Sequence, residues 1–188
     1  MRLLTLCLLL AFLAAGLIPT DSALASEPLV SGPAAGARYG PYSFLIATGP
    51  KRGTQHCYVC DTLGKPVVIV FARQTSDELG KLLVEIDRMV ATKRDQGFFA
   101  WATFLADDET AIAAKVETWG RQLGLRSLPL GVFEDADGPP TYRLSRDAET
   151  TILVVNESKV VANFAFKANE LTADQATAVV EAARKLVK

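Results

Sequence analysis

The chain has 188 residues, 49% hydrophobic and 22% charged, with 20 Lys and Arg against 21 Asp and Glu and a formal charge of -1. That is enough material for one globular domain. The balanced charge, with no Lys/Arg stripe, argues against nucleic acid or an anionic membrane surface as partner, and one His and three Cys leave few metal ligands.

Residues 1-25 read as a signal peptide. Arg2 supplies the positive start, Leu3 to Leu17 an apolar run, and Ala23-Leu24-Ala25 the small-x-small pattern before cleavage. Pro19, Thr20, Asp21 and Ser22 interrupt the run short of the roughly 20 residues that a membrane span needs. Cys7 lies inside the run and leaves with it. Since no later segment is long and apolar enough to span a bilayer, the expected product is a secreted or periplasmic protein. Its two remaining cysteines, Cys57 and Cys60, would then sit in an oxidising compartment, which favours a bonded pair.

Residues 26-64 are rich in turn formers, with Gly-Pro at 32-33, 40-41 and 49-50. They read as an irregular arm lying against the main domain, with one short strand over Tyr42 to Thr48. From Lys65 the pattern changes. Pro66 to Ala72 is a continuous β-branched run, the pattern of a strand buried on both faces. Leu79, Leu82, Leu83, Ile86, Met89 and Val90 then recur at helical spacing, with Thr75 and Glu78 as a capping box. Phe98 to Leu105 is a second strand, and Ile112, Val116, Trp119 and Leu123 mark a second helix ended by Gly124.

Leu128 to Phe133 is strand or loop, and Glu134 to Pro140 is a break. Thr150 to Val155 and Val160 to Phe166 form a hairpin across Asn156-Glu157-Ser158-Lys159. Thr172 and Gln175 then cap a last helix whose Ala176, Val179, Val180 and Ala183 face one way. The order implies an α/β fold, with a mixed central sheet and helices on both faces.

Over residues 65-188, about two thirds of the chain, this order resembles the thioredoxin-like fold. Val68-Ile69-Val70-Phe71 before the first helix, Tyr142-Arg143-Leu144 before the hairpin and Thr150-Thr151-Ile152-Leu153-Val154 within it are similar to the thioredoxin and peroxiredoxin superfamily. The resemblance implies redox cysteines at the start of the first helix, where the helix N-terminus favours thiolate. Those two positions fall here on Ser76 and Leu79. It also implies a cis proline before the hairpin, at a place occupied by Glu149. The usual active-site cysteines and cis-proline are therefore lacking, and Thr75, Ser76, Asp77 and Glu78 read as capping and first-turn acidic residues.

Cys57-Tyr58-Val59-Cys60 is a Cys-X-X-Cys outside the family's position, preceded by His56 and followed by Asp61. Three readings stand. As a redox pair, Cys57 is the attacking thiolate because it adjoins His56, a modulator; Lys51, Arg52 or Lys65 could add favourable charge, and Asp61 opposes it. As a structural bond, the small loop gains about 2 kcal/mol by the chain-entropy formula and pins a loose arm. As a metal site, His56, Cys57 and Cys60 offer three ligands where closed zinc wants four. Covalent haem needs Cys-X-X-Cys-His, and residue 61 is Asp.

Asn156-Glu157-Ser158 matches a glycosylation sequon but suits a turn. Trp101, Trp119, Phe98 and Phe99 could line a pocket, though their periodicity favours the core. No phosphate loop, Ser-His-Asp set or metal motif can be assembled, so no cofactor and no resident metal are expected. The leading expectation is a thiol/disulfide oxidoreductase-like protein acting through Cys57 and Cys60 on a protein thiol or disulfide partner, with no nucleic acid, no membrane span after signal cleavage and an unassigned oligomeric state. The alternative is a redox-silent binding module that presents the 134-149 loop and the arm, with Cys57 and Cys60 as a structural disulfide.

Overall fold

The computed structural model describes residues 29-187. The segment 1-25 expected to be a signal peptide, with Cys7, lies outside the described residues. In chain order the elements are β1 (Phe44–Ile46), β2 (Gln55–His56), α1 (Tyr58–Asp61), β3 (Val67–Ala72), α2 (Asp77–Lys93), β4 (Phe99–Leu105), α3 (Glu109–Leu123), β5 (Leu130–Phe133), β6 (Thr150–Asn156), β7 (Lys159–Phe166) and α4 (Ala173–Arg184). The strands form one sheet in the order β2-β1-β5-β4-β3-β6-β7. β3, β4 and β5 are parallel, and β6 returns antiparallel to β3 before the hairpin to β7.

All six residues of β3 are buried, as the uninterrupted β-branched run requires. Alternation divides their side chains between two cores. Val68, Val70 and Ala72 join α2, α3 and α4 on one face; Val67, Ile69 and Phe71 join Trp101, Tyr142 and Leu153 on the other. On α2, Leu79, Leu82, Leu83, Ile86 and Val90 are buried, each contributing about 1.5–3 kcal/mol relative to exposure.

Helices on both faces hold only through the four-residue α1. The crossovers through α2 and α3 both step from β3 toward β5, and their common right-handedness sends both helices to one face. Irregular chain covers most of the second face. Ser31 Oγ accepts the Ser145 N–H at 3.0 Å and shares a hydroxyl hydrogen bond with Thr151 Oγ1 at 2.6 Å. Asn163 Nδ2 donates to the carbonyls of Ser31 and Pro33 at 2.8 and 3.0 Å.

The caps mostly follow the sequence. Gly124 ends α3 in the left-handed region at φ 71°, and Thr172 with Gln175 forms the reciprocal box on α4. At α2 the cap is Ser76, not Thr75: its Oγ accepts the Leu79 N–H at 3.2 Å, while Glu78 pairs with Lys81 instead of closing a box. Leu130–Phe133 resolves as a strand. The hairpin turn is Glu157-Ser158, both at positive φ (48° and 62°), which supports the turn reading of the sequon residues.

The arm is more regular than its composition suggests, because β1, β2 and α1 all fall within it. β1 extends the main sheet by pairing antiparallel with β5, Leu45 opposite Val132 and Ile46 opposite Gly131. Gly131 permits this approach. A Cβ there would lie 2.6 Å from the Phe44 ring and press on the Leu45 carbonyl. Tyr42 then fixes the arm from beneath, its hydroxyl bonding Thr103 Oγ1 and receiving Trp101 Nε1–H, both at 2.8 Å.

Candidate active site

The sequence brings Cys57 and Cys60 together through one turn of helix. Cys57 is the extended N-cap of α1, and its sulfur accepts the backbone N–H of Cys60 at 3.2 Å. The two are joined as a disulfide with Cα atoms 5.4 Å apart. Cys60 is exposed and Cys57 half-buried. Between them Val59, 1% exposed, anchors the turn in the second core, and Tyr58 lies with its ring 5.7 Å from that of Trp101. Bonded to each other, the sulfurs are not available as thiolate ligands for a metal.

His56 stands beside the pair but faces Asp61. Its Nε2 lies 2.7 Å from Asp61 Oδ2, with Lys51 Nζ 2.9 Å from the same nitrogen and 3.4 Å from the same carboxylate. One nitrogen cannot donate to Asp61 and accept from Lys51 together. The short contact to a carboxylate requires the proton on Nε2, so Lys51 is a neighbouring positive charge and His56 donates to Asp61. That bond, with Lys51 behind it, holds the Asp61 carboxyl below its ordinary range. Partial burial, reinforced by the Asp61 charge, pushes the Tyr58 hydroxyl up. The negative charge expected to oppose a thiolate is therefore offset locally by the His56 N–H bond and the Lys51 ammonium.

The place that the thioredoxin-like pattern reserves for cysteines is filled differently. Past the end of β3, the Arg73 guanidinium donates to the carbonyls of Ala148 (2.9 Å), Ser145 (3.0 Å) and Ala136, while its backbone N–H bonds Glu149 O at 2.9 Å. One side chain thus ties the 134-149 connection to the sheet. Ser76 and Glu149 do come together, lining a groove of about 250 Å³ with Asp77, Glu78, Asn169 and Leu171. Neither Cys57 nor Cys60 lines it. α1 leads instead through a turn at Thr62–Lys65 into the start of β3, and Gly64 N–H bonds Ser158 Oγ at the hairpin turn. The six residues of β3, about 20 Å of strand, lead from that start to the vacated site.

A different cavity, of about 350 Å³, opens beside α1, lined by Tyr58 though by neither cysteine. Tyr58, Phe99 and Trp101 give it aromatic walls, and Lys51, Arg94 and Arg126 are its charged lining residues. The sequence had suggested core positions for Trp101 and Phe99, and Trp101 is indeed 1% exposed; the edges of both nonetheless reach this cavity. Arg94 and Arg126 were not legible as site residues, since positions 51, 94 and 126 meet only after the sheet has formed.

Solved structures with this architecture include a candidate protein disulfide isomerase from Bacteroides thetaiotaomicron, at TM-score 0.63 and 18% identity over 84% of this chain and 94% of that one. A candidate thiol:disulfide interchange protein DsbE from Chlorobium tepidum aligns at TM-score 0.53 and 17% identity over 78% and 98%. Peroxidoxin BcpB from Mycobacterium tuberculosis aligns at 0.54 and 14% over 82% and 98%. No protein-family model and no curated protein matches the sequence. The chain is a thioredoxin-fold protein. Identities this low speak to the fold alone.

Proposed function

We propose that this is an exported thioredoxin-fold protein that exchanges disulfides through Cys57 and Cys60. The observation that carries the reading is a ready-formed bond in a short turn whose second sulfur belongs to an exposed residue. A partner thiolate attacks Cys60 Sγ, the Cys57–Cys60 bond breaks, and Cys57 leaves as a thiolate received by the Cys60 N–H. A second partner thiol, once deprotonated, attacks the mixed disulfide. The partner departs oxidised, and the pair, having gained two electrons, takes up protons as a dithiol. Exposure thus makes Cys60 the sulfur that partners reach, whereas adjacency to His56 had favoured Cys57. His56 acts indirectly, by holding Asp61.

Insulin reduction driven by dithiothreitol tests the reading. The wild-type chain should accelerate it and Cys60→Ser should lose at least about 90% of the acceleration; equal rates would refute it. Export is supported by the pattern at residues 2-25 and by the disulfide itself, which persists in oxidising compartments. Among the described residues no helix is long and apolar enough to cross a membrane. Expression with the native N-terminus should yield a chain beginning at Ser26 outside the cytosol; a full-length cytosolic product would contradict export.

A second reading has its own support. Val59, held between the cysteines, is buried in the second core, so the bond could serve to fix α1 while the surface binds a partner without redox chemistry. Partner capture would then survive Cys57→Ser plus Cys60→Ser, and loss of capture in that variant would count against it.

A further inference from the structure

We infer that the cavity beside α1 is a docking cleft for an acidic peptide segment, one carrying a carboxylate and an apolar side chain next to the cysteine that meets Cys60. The inference rests on the proposed exchange chemistry for its purpose, but the cleft's composition stands on its own. Its volume of about 350 Å³ lies at the lower end of the range for ligand sites. Its walls divide by chemistry. Tyr58 and Phe99 are half-buried, and Trp101 lies beneath with its indole N–H already committed to Tyr42. The aromatic side therefore offers contact area and ring faces, with the Tyr58 hydroxyl as its one polar group.

The charged lining is all positive: Lys51, Arg94 and Arg126 line it beside the neutral Thr48 and Ser127, and no carboxylate does. Among the described residues, neither Arg94 nor Arg126 has an ion-pair partner. The nearby acids are otherwise engaged. Asp61 pairs with His56 and Lys51, and Asp87 accepts the backbone N–H groups of Arg126, Ser127 and Leu128 at 3.0, 2.6 and 2.7 Å. The Asp87 contact fixes the loop that presents Arg126 through its main chain and leaves the guanidinium outward. Two forked donors lining one cavity with three aromatic rings match a carboxylate beside an apolar side chain.

Position argues for a peptide segment. Tyr58 is covalently next to Cys57, and Lys51 touches both His56 and Asp61, so the cleft adjoins the turn that carries the disulfide. A chain whose cysteine meets Cys60 can lay its neighbouring residues along this wall. The cations would orient that chain and hasten its approach, in a salt-dependent way.

Calorimetric titration of the oxidised full chain separates docking from chemistry. The probe is a short peptide with two Glu and one Phe around a Ser; its counterpart carries two Lys in place of the Glu. The acidic peptide should bind about tenfold more tightly. That preference should vanish in Arg94→Gln plus Arg126→Gln, and weaken as salt rises to about 1 M, where screening shortens to roughly 3 Å. Equal affinity for the two peptides, binding of neither, or an undiminished preference in the double variant would overturn the inference. Repeating the comparison with Cys for the Ser isolates the other claim: docking without measurable exchange defeats the redox reading and leaves the cleft, whereas exchange at equal rates and affinities does the reverse.

Discussion

The end of β3 and the α1 turn occupy contrasting places in one fold. At the end of β3, where a thioredoxin-like chain would be reactive, Arg73 joins three carbonyls of the 134-149 connection and Ser76 caps α2. In α1, ahead of the parallel strands, a disulfide with one exposed cysteine sits in the same turn as an acid-base pair and Tyr58 of an aromatic cleft. The contrast teaches that the position where the resemblance expects cysteines can serve as a clamp, leaving the proposed sulfur chemistry to a turn that shares the second core with Phe71 and Tyr142. The clamp is structural in every contact it makes, while the turn pairs a buried anchor, Val59, with an exposed sulfur-bearing neighbour.

The largest effect should come from breaking the clamp. Arg73→Ala leaves partly buried carbonyls without their charged donor and should cost about 3 kcal/mol, lowering Tm by roughly 6–12 °C in circular-dichroism melts, with disulfide exchange by the folded protein unchanged. A loss under about 1 kcal/mol would mean that the clamp is incidental. Next in size, Cys57→Ser plus Cys60→Ser should cost about 2 kcal/mol in urea unfolding, the chain-entropy value for so short a loop. A much larger loss would shift weight toward the structural reading. Tyr42→Phe strands Trp101 Nε1–H and removes a partner from Thr103, so it should cost about 1–2 kcal/mol by the same measurement.

The smallest effect concerns Asp61. Its folded-state value is depressed, so its contribution is present above the unfolded value of about 4 and is lost as pH falls through the folded one. Exposure and screening hold that contribution to a few tenths of a kcal/mol. Carboxyl-carbon NMR should find Asp61 titrating below the ordinary range, and His56→Gln should move it back up; no movement would remove His56 from the account.

Much of this contrast was written along the chain. The uninterrupted burial of β3, the hairpin, Gly124 and the Thr172–Gln175 box are local patterns, and a local pattern survives translation into structure. The absent cysteines at Ser76 and Leu79 were equally plain. What could not be read there depends on long-range pairing. β2 has two residues and α1 four, too few for either periodicity; β2 is held by a wide hairpin to β1, and α1 by a contact to Trp101 that lies far along the chain. Arg73 read as an ordinary residue after a strand because its three acceptors lie more than 60 positions away. Lys51 was named beside the cysteines, but Arg94 and Arg126 were invisible for the same reason, and the single-faced helix layer followed from crossover handedness more than from composition.

The reduction potential of Cys57–Cys60, measured against glutathione or dithiothreitol buffers, tests the central claim most directly. Exchange through this pair predicts a value between about -270 and -120 mV, the range of thioredoxin-fold exchange proteins. A value well below about -300 mV, where structural disulfides lie, would contradict it.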